Sequence, residues 1–140
     1  MSAFDNATRF FHACESLEGW QGCSPYASKG AHFSAQSEPI ATLSSVEEYC
    51  EWMAGLGKTA LAGCSYELHN SAYDENTRTA LFFGTFTGTH VGEGGPVPAT
   101  GQTTTSHYVY VLTMGADDRV AKMVKVWNAP WAMRELGWMS

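Results

Sequence analysis

Apolar residues recur at three- and four-residue steps in the first part of the chain, which predicts two helices. The first predicted helix covers about 3–17, with Ser2 and Asp5 spaced as a weak capping box and Gly19 placed to end it. Its predicted apolar face consists of Ala7, Phe10, Phe11, Cys14 and Leu17. A short helix or turn follows over 20–26, and a short strand is predicted at 31–35.

The second long helix has the clearest local signal. Ser44 precedes Glu47 by three residues and Ser45 precedes Glu48 by three, so a capping box is available in either register. Gly57 is suited to end this helix. Its predicted apolar face consists of Val46, Tyr49, Cys50, Met53 and Leu56.

The pattern changes to β-branched and aromatic residues in the second half, which predicts four strands at 65–73, 77–90, 103–114 and 119–127. Gly84 and Gly88 within the second of these favour a bend or a close backbone approach. The segment 91–102 is rich in Gly and Pro and is predicted to be a loop. A short terminal helix is predicted over 128–137.

The predicted order of elements, helices first and neighbouring strands afterwards, is typical of an α+β fold. We expect N-terminal helices packed in the concave face of a strongly curved, mostly antiparallel sheet. Such a cone encloses an internal cavity, and cavities of this kind commonly hold small molecules.

Length and charge restrict the class of protein. With 140 residues, the chain is expected to form a single domain over 1–140. No apolar run approaches the roughly 18 residues of a membrane span, and the N-terminus lacks the pattern of a signal peptide, so a cytoplasmic location is expected. The net charge of -6 and the lack of a basic stripe argue against nucleic-acid binding.

The cysteines and histidines give no metal-binding pattern, and no metal site is predicted. The four cysteines, at 14, 23, 50 and 64, contain no C-x-x-C pair and are expected to be reduced core residues. His90 and His107 flank the predicted loop and could meet across a hairpin. Two histidines do not complete a zinc site, which needs three or four ligands.

The segments 84–90, 98–101 and 127–137 resemble the SnoaL-like polyketide cyclases of the nuclear-transport-factor-2-like superfamily. They read Gly-Thr-Phe-Thr-Gly-Thr-His, Pro-Ala-Thr-Gly and Trp-Asn-Ala-Pro-Trp-Ala-Met-Arg-Glu-Leu-Gly. The resemblance implies a cone-shaped fold, a small-molecule pocket, chemistry that needs no cofactor, and a homodimer formed through the convex face of the sheet. The apolar run 108–111 would serve such a dimer, because it offers apolar side chains to both faces.

The resemblance also implies catalytic positions. Cyclases of this family carry an Asp after the Trp of the closing segment, which is 127–137 in this chain, and the matching position here is Asn128. An amide cannot transfer the proton, but it can donate a hydrogen bond to an enolate oxygen or cap the following helix. Glu38, just before a proline, matches the base of related isomerases, and its alternative is an exposed loop acid. Tyr110 falls near an inward-pointing acid of those isomerases and is either a hydrogen-bond donor or a core residue.

Aromatic residues provide the strongest hint about the ligand. They are numerous and come from every predicted layer, and a planar apolar compound would pack well against them. The predicted ligand-binding residues are Trp20, Tyr26, Trp52, Tyr66, Phe86, Trp127 and Trp131.

Two functions of different class remain open from the sequence. The first is a cyclase, isomerase or dehydratase that acts on an apolar, polyketide- or steroid-like carbonyl compound by enolate chemistry. The second is a non-catalytic ligand-binding or dimerisation module of the same fold. The ligand expected in either case is a small apolar or aromatic compound.

Overall fold

The computed structural model describes residues 2–139, which form four α-helices and five β-strands. The helices are α1 (Ala3–Glu15), α2 (Gly19–Cys23), α3 (Val46–Lys58) and α4 (Ala129–Glu135). The strands are β1 (Ala27–Ala35), β2 (Ser65–Asp74), β3 (Thr79–Thr89), β4 (Thr103–Met114) and β5 (Val120–Trp127). Two single 3₁₀ turns lie at Ser24–Tyr26 and Glu38–Ile40.

The long helices begin where the sequence predicts. Ser2 and Asp5 form the capping box of α1, and at α3 the register with Ser45 and Glu48 is the one used. Helix α1 ends two residues earlier than predicted, at Glu15. Leu17 has a φ of 64°, which a right-handed helix cannot accommodate.

The five strands form one open sheet in the order β1-β5-β4-β3-β2. Neighbouring strands are antiparallel except β1 and β5, which run parallel. This pairing lengthens β1, which begins at Ala27 instead of the predicted position 31. Register shifts interrupt the β1–β5, β2–β3 and β4–β5 pairs, and such bulges bend a sheet. The predicted α+β class with a mostly antiparallel sheet is confirmed.

Aromatic stacking joins the helices to the inner face of the sheet. Phe11 of α1 lies parallel to Phe82 of β3, with 5.1 Å between the ring centroids. Phe33 of β1 stacks on Tyr49 of α3 at 4.7 Å. All four residues are buried. The core therefore lies between the two long helices and this face of the sheet.

Gly84 confirms the close backbone approach predicted within the long strand. A Cβ atom at this position would lie 2.8 Å from the Tyr108 hydroxyl oxygen and 2.9 Å from the carbonyl oxygen of Glu67. Glycine therefore leaves room for the Tyr108 hydroxyl inside the fold.

Within residues 2–139, no helix combines the length and the apolar character required to cross a bilayer.

Candidate functional site

A cavity of about 200 Å³ lies between α3, α4, the loop after β3 and the inner face of the sheet. Its wall is mostly apolar and includes Trp52, Met53, Leu56, Phe86, Trp127 and Leu136. Three polar side chains, those of Glu15, Lys125 and Tyr108, also line this wall. An apolar cavity with a few convergent polar groups is the usual form of a small-molecule site.

Glu15 is an acid held inside the protein, with 4% of its surface exposed. The Tyr108 hydroxyl donates a 2.6 Å hydrogen bond to one carboxyl oxygen, and the Tyr110 hydroxyl donates a 2.5 Å bond to the other. Burial raises the pKa of Glu15, because a carboxylate loses its hydration there, and Lys125 and the two tyrosines only partly oppose this rise. Glu15 is therefore adapted to exchange a proton nearer neutral pH than an exposed glutamate.

Lys125 on β5 is the buried amine of the site, with 6% of its surface exposed. Its Nζ donates a 2.8 Å hydrogen bond to the Tyr49 hydroxyl. Burial lowers the pKa of Lys125, while the charge of Glu15 acts in the opposite direction. The amine also faces the rings of Tyr49, Trp52, Tyr108 and Trp127, with centroids 4.9–5.9 Å away.

Tyrosine hydroxyls connect the amine to the acid. The Tyr49 and Tyr110 hydroxyl oxygens are 3.2 Å apart, and Tyr110 bonds to Glu15. Burial raises the pKa of both tyrosines, so they remain neutral hydroxyls able to donate and accept. The chain Lys125–Tyr49–Tyr110–Glu15 is thus a continuous series of hydrogen bonds between two groups on the cavity wall.

Strand register places these side chains together. Tyr108 pairs with Trp127 across β4 and β5, and Tyr110 pairs with Lys125. Because side chains two residues apart in a strand share a face, all four project toward the core. Glu15 reaches the same point from the last turn of α1.

The predicted catalytic residues Asn128, Glu38 and Tyr110 lie in different surroundings. Asn128 is exposed and caps α4, since its Oδ1 accepts a 3.2 Å hydrogen bond from the Trp131 backbone N–H. Glu38 is exposed in a 3₁₀ turn, and both residues line a second, wider groove of about 830 Å³. Tyr110 is fully buried behind the cavity wall. Catalytic roles for these three residues stay predictions.

The seven predicted ligand-binding aromatics divide into two groups. Trp52, Phe86 and Trp127 line the cavity with Glu15 and Lys125. The other four do not line it: Trp20, Tyr26, Tyr66 and Trp131. The hydroxyl of Tyr66 is bonded to His12 at 2.8 Å, and Trp131 is 48% exposed.

His90 and His107 do not meet. His90 is buried, and its Nδ1 accepts a 2.9 Å hydrogen bond from Trp138 Nε1. His107 is exposed on the other face of the sheet and packs against Phe83.

Glu15 and Lys125 were absent from the sequence-based candidates, although the periodicity contained a signal for each. Glu15 follows Phe11 by four residues, which places a charge on the apolar face of the first helix. Lys125 alternates with Met123 and Trp127 on one face of a strand. A charged side chain at an inward-facing position is the pattern that indicates such a site.

Solved structures share this fold over nearly the whole chain. A proposed SnoaL-like polyketide cyclase from Jannaschia sp. CCS1 has 17% identity and a TM-score of 0.78, and the match covers 99% of this chain and 93% of that one. AclR, a proposed hydroxylase from Streptomyces galilaeus, has 21% identity and a TM-score of 0.76, with 99% and 86% covered. IdmH, a proposed polyketide cyclase from Streptomyces antibioticus, has 12% identity and a TM-score of 0.77, with 98% and 99% covered.

Neither a protein-family profile nor a curated protein sequence matches the chain. At the level of fold, the structural similarity confirms the resemblance drawn from segments 84–90, 98–101 and 127–137. The chain has the nuclear-transport-factor-2-like fold that SnoaL-like polyketide cyclases adopt.

Proposed function

We propose that this protein binds a small apolar carbonyl compound in the cavity and transfers a proton on it by enolate chemistry. The observation that carries this proposal is the pairing of a buried acid and a buried amine on one apolar wall. The cavity of about 200 Å³ is smaller than the roughly 300–1,000 Å³ of drug-sized sites. Its size favours a compound of one or two rings over the larger steroid-like ligands considered from the sequence.

Glu15 is the proposed proton-transfer group. As a carboxylate it takes a proton from the carbon next to the substrate carbonyl, and as the acid it returns that proton to the same carbon or to another position. Two tyrosine hydrogen bonds hold its orientation and leave lone pairs available. A raised pKa suits this exchange near neutral pH.

Lys125 is the proposed partner of the substrate oxygen. An ammonium group has three donors, and among the described residues the Tyr49 hydroxyl is its single hydrogen-bond acceptor. A remaining donor can therefore stabilise the negative charge that develops on an enolate oxygen. Trp52 and Trp127 contribute apolar rings to the cavity wall beside this amine.

Deuterium exchange into a two-ring ketone, 2-tetralone, tests the reaction without knowledge of the natural substrate. In D₂O the protein is expected to accelerate exchange at the carbon beside the carbonyl, measured by proton NMR. Glu15→Gln should lower that acceleration by roughly 10²–10⁴-fold, the usual contribution of a positioned acid or base. The matched control is Glu18→Gln, which changes an exposed acid beyond the end of α1.

The same assay separates the competing hypotheses. Loss of exchange in Glu38→Gln, with Glu15→Gln unaffected, would favour the base predicted from the sequence. Saturable binding of 2-tetralone without exchange in any variant would favour a non-catalytic binding protein.

A homodimer formed through the outer face of the sheet is a second proposal, compatible with either function. Two apolar rows cross β3, β4 and β5 on the face opposite the helices. The rows are Leu81–Val111–Val124 and Phe83–Val109–Val126. Leu81 and Val126 are 41% and 58% exposed, and a second copy of this surface would remove both rows from water.

A further inference from the structure

Three of the four cysteines converge from three different helices. Cys14 lies on α1, Cys23 is the last residue of α2, and Cys50 lies on α3. Their sulfur atoms are all within 4.8 Å of one another, and each residue is 0–1% exposed. Cys64 lies outside this cluster. Sequence spacing alone does not indicate the cluster, because the helices are brought together only by packing.

The arrangement of the sulfur atoms suits one metal ion with three ligands. With metal–thiolate bonds of about 2.3 Å, the length found for zinc, a trigonal planar centre needs sulfurs about 4.0 Å apart. The three sulfurs, all within 4.8 Å of one another, are near this spacing. Within residues 2–139, no His, Asp or Glu ligand atom joins the three sulfurs.

This donor set distinguishes between metals. Structural zinc sites are almost always tetrahedral and need a fourth ligand, which the buried cluster does not provide. Three soft sulfur donors are instead suited to Cu(I).

We propose that Cys14, Cys23 and Cys50 form a trigonal thiolate site for Cu(I). Binding releases the thiol protons to solvent and changes no oxidation state. Three thiolates and one Cu(I) leave a net charge of -2. The bound ion would join the three helices at one point. This proposal is independent of the proposed reaction in the cavity.

Anaerobic titration of the reduced full-length protein with Cu(I), against a chromophoric Cu(I) chelator, tests the site. The expected result is one Cu(I) per chain, unaffected by Zn(II). Cys23→Ala and Cys50→Ala should each weaken binding by roughly 100-fold or more, since each removes one ligand. The control Cys64→Ala should bind like the wild type. Equal binding by all variants, or loss of binding only in Cys64→Ala, would overturn the proposal.

X-ray absorption at the copper edge of the wild-type protein provides a test that does not depend on folding of the variants. Three sulfur neighbours at about 2.3 Å are expected, as in other thiolate centres. Two sulfurs, or nitrogen and oxygen neighbours, would contradict the trigonal site. Failure of the reduced wild type to bind Cu(I), combined with a disulfide among these cysteines after air exposure, would identify an oxidisable pair instead.

Discussion

At the scale of single residues, the site depends on charges kept away from water. Glu15 and Lys125 are both buried, and burial shifts their pKa values in opposite directions, upward for the acid and downward for the amine. Each shift brings a group nearer the pH at which it can exchange a proton. The tyrosine hydroxyls between them supply hydrogen bonds that the buried charges would otherwise lack.

The pH dependence of 2-tetralone exchange should follow Glu15. Only the carboxylate accepts a proton, so the exchange rate should increase as pH rises through a pKa above the ordinary glutamate value. In Tyr108→Phe the carboxylate loses a hydrogen bond that stabilises it, and the rise should move to higher pH. The measurement is the pH–rate profile, supported by a carbon-13 NMR titration of the glutamate carboxyl groups.

Tyr73→Phe is the matched control for this experiment, because Tyr73 packs against Phe4 and makes no contact with Glu15. Its profile should coincide with that of the wild type. A Tyr108→Phe profile that moves to lower pH, or does not move, would rule out the proposed role of this hydroxyl.

At the scale of secondary-structure elements, α4 closes one side of the cavity, and Asn128 determines how this helix begins. Ala132, Met133 and Leu136 of the closing segment face the cavity, and the Asn128 side chain caps the first turn. The family resemblance directs attention to the same position as a catalytic one. Substitutions at position 128 separate the two roles, since an acid caps as well as an amide.

Asn128→Ala should lower the free energy of unfolding by about 1 kcal/mol, the usual cost of losing an N-cap, measured by urea unfolding. Asn128→Asp should leave stability within about 0.5 kcal/mol, because Asp is an equally good cap and suits the helix dipole. Asn76→Ala, in the exposed turn after β2, is the control. A large change in ketone exchange in Asn128→Asp, at unchanged stability, would instead support a catalytic role for position 128.

At the scale of the whole molecule, the two faces of the sheet differ in what they contact. The inner face holds the helices, the core and the cavity. The outer face carries the apolar rows through Leu81 and Phe83, whose side chains alternate with the buried Ala80 and Phe82 along β3. An exposed apolar surface of this kind favours association.

The outer face is expected to form a dimer at micromolar concentration in sedimentation equilibrium. Phe83→Glu combined with Val126→Glu should give a folded monomer, because two acids on each copy would face two acids on the other. The control Val97→Glu, in the exposed loop between β3 and β4, should remain dimeric. A monomeric wild type would disprove this interface and leave the cavity proposal unaffected.

Most of the helices and strands could be predicted from the sequence, because the features that indicate them involve residues close together in the chain. The capping boxes at Ser2 and Ser45, the alternation in β4 and the glycine at position 84 each depend on neighbours within a few residues or on backbone conformation. The α+β class followed from the order of these elements. Strand β1 was predicted too short because its parallel partner, β5, is about ninety residues away in the chain.

The sequence by itself determined the fold class and the closing segment that resembles the cyclases. Only the tertiary structure joined Glu15 to Tyr108 and Lys125, and Cys14 to Cys23 and Cys50, because these side chains belong to elements far apart in the chain. Burial is likewise a tertiary property, and it shifts the pKa values of Glu15 and Lys125 by removing water from both groups. The chemistry proposed for this protein therefore depends on packing that no single segment encodes.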